Sequence, residues 1–109
     1  MRGWILILPA LALGACAGLG ASRAPASAAG RGEAVAQARC SACHAIAPGA
    51  ASSNAAAPPF ASREMRHTAG LEGRLAELTA KGHYGMPPVA LRPDEVQDLL
   101  AYIESLDRP

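Results

Sequence analysis

Apolar residues fall into one dense block near the start of the chain and then into a sparser helical rhythm. The block runs from Trp4 to Leu13, and the Ala-, Gly- and Ser-rich stretch from Ala17 to Ala29 that follows reads as a linker. From Gly32 to Ala42 little opposes a helix, and Glu33 stands in the first turn of that expected helix, where the dipole favours a carboxylate. Periodicity is lost over residues 48–62, "PGAASSNAAAPPFAS", whose Pro, Gly, Ser and Asn predict a surface loop. A short helix is expected from Arg63 to Thr68, broken at Gly70. Leu71, Leu75 and Leu78 recur at helical spacing and predict a second helix to about Lys81, closed by Gly82. Gly85, Pro87 and Pro88 rule out regular structure in "HYGMPPVALR", residues 83–92. The last helix is the clearest: Pro93 suits its first position, Asp94 and Glu95 complement its positive end, and Val96, Leu99, Ile103 and Leu106 form one apolar stripe flanked by Leu100 and Tyr102. With no alternating strand pattern and no repeat, the expected fold class is all-α with long irregular loops.

Composition sharpens this picture. A chain of 109 residues holds one small domain, and its hydrophobic fraction of 50% is concentrated in the leading block and in alanine. Beyond Gly20 the only aromatic residues are Phe60, Tyr84 and Tyr102. So small a core calls for a staple or a filler: a disulfide, a metal or a cofactor. The formal net charge is +1, without a basic run or basic–aromatic interleaving, which argues against nucleic acid as a partner.

Arg2, the apolar block and the small residues after it have the layout of an export signal, too short for a spanning helix. Two exits are open. Ala26-Ser27-Ala28 is an A-x-A site that would divide the chain into a leader and linker, 1–28, and a domain, 29–109. Alternatively "LGAC", Leu13 to Cys16, resembles a bacterial lipobox, which implies a lipid anchor on Cys16 as the first mature residue. Either exit leads to the periplasm, with the product soluble or tethered to a membrane facing it.

The chemistry is concentrated in "ARCSACHA", where Cys40, Cys43 and His44 stand in C-x-x-C-H spacing. A structural zinc site needs four ligands, and no second cysteine pair exists. A redox dithiol usually opens a helix after a strand, and no strand is expected before Cys40. The third reading, which the export signal, the small aromatic-poor core and "YGMPP" favour over a redox dithiol or a partial metal site, is covalent attachment of one haem c through two thioethers, with His44 placed under the iron through Nε2 and its other nitrogen held by an acceptor. The backbone carbonyls of Pro58 and Pro59 are the candidate acceptors; loop stiffening is the alternative role of either proline. For the opposite side of the iron, Met86 sits between Gly85 and Pro87, poorly placed for a helix core. Met65, His67 and His83 are its rivals, Met65 reading as core filler and His67 as a surface residue. No Ser–His–Asp set and no carboxylate pair spaced for acid–base work stands out.

With these residues in place, the chain from about Gly32 to Leu106 resembles a class I cytochrome c of the small monohaem bacterial type. The likeness rests on Cys40, Cys43 and His44, on Gly32 eight residues before Cys40, on "APPF" and "GHYGMPP", and on "DLLAYIESL" from Asp98 to Leu106. Ala36 departs from the family, which often has a larger packing residue there. The resemblance implies a cytochrome c fold of three to four helices, crossing of the first and last helices at Gly32, Leu99 and Tyr102, and His44 and Met86 as axial ligands. It implies an electron carrier between a donor dehydrogenase and an acceptor oxidase or reductase, not an enzyme. The alternatives are the small haem subunit of a periplasmic dehydrogenase, and a haem-based ligand binder or peroxidase. Arg63, Arg66 and His67 form the one basic cluster, which would meet haem propionates or an acidic partner, or else is a solvated face.

Overall fold

The structure, a computed structural model, describes residues 26–66 and 71–107. It contains four helices among those residues: α1 (Ala28–Arg39), α2 (Arg63–Arg66), α3 (Leu71–Lys81) and α4 (Pro93–Ser105). No strand occurs among the described residues, and the all-α expectation holds. The leading block, Cys16, His67 and Gly70 lie outside the described residues, as does the side chain of Arg66.

Helix α1 starts four residues earlier than its sequence suggests, because Ser27 caps it. The Ser27 hydroxyl accepts the Gly30 N–H at 3.0 Å, and the Ser27 carbonyl accepts the Arg31 N–H at 2.9 Å. Glu33 therefore falls in the second turn, and the first turn carries no acid. The helix also stops at Arg39, short of the expected Ala42. The Gln37 carbonyl accepts the Ser41 hydroxyl at 2.6 Å, while the Ser41 N–H turns back to the Ala36 carbonyl at 3.0 Å. The ladder loses register there, and the chain enters a run of turns at Cys40.

The core is the contact of α1 with α4, the most extensive between helices. Gly32 makes it possible: a Cβ at this position would lie 1.8 Å from the Asp98 carbonyl oxygen. Ala36 is fully buried beside it, so the small residue lets the two backbones approach. Leu99 and Ile103 are the largest fully buried side chains, each contributing about 2 kcal/mol through removal from water. Tyr102 belongs to this buried set at 7% exposure and does not merely flank it. Asp98 is also buried, and its carboxylate accepts two bonds from the Arg31 guanidinium, both 2.8 Å, which ties the crossing across 67 residues of chain. Phe60, Leu75 and Val96 extend the core, and half-buried Met65 packs against it as filler.

Helix α4 begins as its sequence predicts, with Pro93 in its first turn and the Glu95 carboxylate accepting the Arg92 N–H at 2.8 Å. Helix α3 ends at Gly82, whose N–H bonds the Leu78 carbonyl at 2.8 Å with φ at +74°. The following loop is more regular than its prolines suggest. His83 and Met86 exchange backbone bonds of 3.1 and 2.7 Å across a two-residue turn, and Val89 N–H returns to the Thr79 carbonyl at 2.7 Å.

Candidate haem-attachment site

The turn that ends α1 carries Cys40, Cys43 and His44 together. The Cys40 carbonyl accepts from both Cys43 N–H, at 3.2 Å, and His44 N–H, at 2.9 Å. Both cysteines are half-buried free thiols. Burial pushes the Cys40 thiol up to about 11, against a small opposing pull from Arg39. A dithiol reductant needs a lowered, nucleophilic cysteine, so this environment argues against redox exchange. Among the described residues no set of three or more His, Cys, Asp or Glu side chains converges to hold an ion.

His44 is held by its surroundings on two sides. Its Nδ1 lies 2.8 Å from the Pro58 carbonyl oxygen. A carbonyl only accepts, so Nδ1 is the donor, and in the neutral imidazole Nε2 is then the nitrogen that keeps its lone pair. Of the two candidate prolines, Pro58 therefore supplies the acceptor. The imidazole also meets the buried Phe60 ring at a centroid distance of 5.3 Å and a tilt of 51°.

The 48–62 loop is stitched to the same turn, residue by residue. Ser53 Oγ donates to the Ala42 carbonyl at 2.6 Å, and Asn54 N–H donates to the Cys43 carbonyl at 3.2 Å. Ala45 N–H reaches Ser52 Oγ at 2.9 Å, and the Ala45 carbonyl accepts Phe60 N–H at 2.9 Å. From α4, the Tyr102 hydroxyl donates to the Ile46 carbonyl at 2.7 Å. Burial raises the Tyr102 phenol above its ordinary range, with Glu33 adding to the effect, so it stays a donor at neutral pH. Ser52, Ser53 and this bond of Tyr102 were not readable as site features, because serines in a loop carry no periodic signal. The Arg31–Asp98 pair was equally hidden, its partners lying at opposite ends of the domain.

Met86 stands on the other loop, half-buried, directly beyond the turn Tyr84-Gly85. Both turn residues have positive φ, +40° and +83°, as a two-residue hairpin turn demands. A Cβ on Gly82 would come within 2.5 Å of the Met86 carbonyl oxygen, so glycine is required for this loop to close on α3. His83 is exposed, with its ring 3.8 Å from that of Tyr84 by centroid. Arg63 is exposed.

The donor set fits haem: two unpaired thiols three residues apart, and next to them an imidazole with a free Nε2. Together with first and last helices crossing at a glycine, that turn defines the class I c-type cytochromes, and the fold is the all-α cytochrome c fold expected from the resemblance. The chain belongs to the c-type cytochrome family described as cytochrome C oxidase, cbb3-type, subunit III, whose sequence model matches residues 27–103. No curated protein and no solved structure matches it. Family membership makes this a haem-binding domain of electron transfer, working with redox partners.

Proposed function

We propose that the chain carries a single haem c, bound through thioethers to Cys40 and Cys43, with His44 and Met86 as axial ligands, and acts as a periplasmic one-electron carrier. When bound, the haem supplies a reversible Fe(III)/Fe(II) couple. The observation that carries the reading is the His44 hydrogen bond to Pro58, which fixes the tautomer a metal-binding imidazole requires and leaves Nε2 free. Gly82 and the Tyr84-Gly85 turn would present the Met86 thioether from a loop closed on α3. Of the two free thiols, that of Cys40 packs against the buried cluster.

The family description names an oxidase subunit, which favours a second reading: the domain passes electrons within a complex rather than diffusing between partners. A redox titration of the purified holoprotein separates either role from ligand binding. We expect a reversible one-electron transition and a reduced spectrum unaltered by carbon monoxide. A carbon monoxide adduct forming readily on the native reduced protein would contradict electron transfer as the sole activity.

Two contacts support an export exit upstream of the domain. Ser27 caps α1, and the Ala26 carbonyl accepts the Arg31 Nη1 at 2.6 Å, on the same guanidinium that holds Asp98. Cleavage after Ala28 would remove both partners, whereas a start at Cys16 keeps them. The lipid-anchored form, facing the periplasm, is therefore the reading adopted.

A further inference from the structure

Three polar backbone atoms just after His44 are tied down: Ala45 N–H to Ser52, the Ala45 carbonyl to Phe60, and the Ile46 carbonyl to Tyr102. The first two bonds come from the loop that also supplies Pro58. The third is different. It comes from α4, 56 residues along the chain, and from a side chain buried in the α1–α4 crossing. Tyr102 thus has its ring in the core and its hydroxyl on the backbone that presents the imidazole.

We propose that Tyr102 is a positioning residue for His44: its bond to the Ile46 carbonyl anchors the ligand-bearing segment to the helix crossing and so sets how tightly His44 Nδ1–H is held by Pro58. This rests on the reading of His44 as an iron ligand. The physical link is the segment Ala45–Ile46. It has His44 at one end and the Tyr102 bond at the other, so slack at Ile46 is transmitted to the ring. A firm Nδ1–H···O=C bond makes the imidazole a stronger electron donor, and this favours the oxidised iron. Loosening it favours the reduced iron.

The test uses the mature holoprotein and two variants at the same crossing. Tyr102→Phe keeps the ring and removes only the donor. Asp98→Asn weakens the crossing through its pairing with Arg31 and touches neither Ala45 nor Ile46. We expect Tyr102→Phe to raise the midpoint potential and to change the spread of haem-methyl resonances. Asp98→Asn is expected to lower the melting temperature while leaving both readouts at wild-type values. A wild-type potential and methyl pattern in Tyr102→Phe would overturn the inference, as would an equal change in Asp98→Asn. Should Tyr102→Phe fail to accumulate, 3-fluorotyrosine at position 102 serves instead. Its more acidic phenol is the stronger donor, so the potential should fall; an unmoved potential overturns the inference. A wild-type chain purified without attached haem would instead remove the reading beneath it, a failure distinct from either of these.

Discussion

At the scale of single residues, the site divides into groups held by several neighbours and a group held mainly through its backbone. His44 belongs to the first kind, with Pro58 on its Nδ1 and Phe60 against its ring. Met86 belongs to the second: its backbone is fixed by His83 and by the approach of Gly82, while its thioether is half-buried. Its assignment as the sixth ligand is therefore the sharper one to test. Met86→Ala should leave the haem attached, lower the potential, and open the iron to cyanide, since a methionine ligand favours reduced iron. A variant that still excludes cyanide at the wild-type potential would pass the role to another residue. His83 is then first in line, being paired with Met86 across the turn. Tyr84, at a positive φ and 91% exposed, is a strained position for a non-glycine residue.

At the scale of elements, the helices follow the hydrophobic period, and their ends follow local chemistry that the period does not report. Helices α3 and α4 keep their expected starts because Leu71, Leu75 and Leu78, and Pro93 with Glu95, write the signal into adjacent residues. Helix α1 has no comparable stripe. Its two buried residues are Gly32 and Ala36, so Ser27 and the Ser41–Gln37 bond, not periodicity, decide where it begins and ends. Its position depends on what it lacks: a side chain at residue 32. Gly32→Val should therefore destabilise the holoprotein by about 3 kcal/mol or more, because the steric conflict is with the backbone of Asp98 and not with a side chain that can swing away. Chemical denaturation checks this. An unchanged midpoint would mean that α1 and α4 do not meet at Gly32.

At the scale of the whole molecule, the candidate turn stands out in the sequence because C-x-x-C-H puts three chemically demanding residues in five positions. The supports around it do not. They join residues 45–46 to a loop serine, to Phe60 and to α4, contacts that only the folded chain brings together. The same holds just before α1, where the bonds made by Ala26 and Ser27 emerge only with the helix in place. This predicts that intact mass spectrometry of the exported protein will give a chain beginning at a lipidated Cys16. A mass corresponding to a start at Ala29 would show that the domain dispenses with the cap and would remove the membrane tether.

The expectations for Met86 and Tyr102 depend on covalent haem at the end of α1. The most direct test is a pyridine haemochrome spectrum of the exported protein after denaturation and acid–acetone extraction. The account predicts that colour stays with the polypeptide, with the band position of a haem whose two vinyl groups are both saturated by thioethers. A colourless chain whose Cys40 and Cys43 both titrate as free thiols would contradict it.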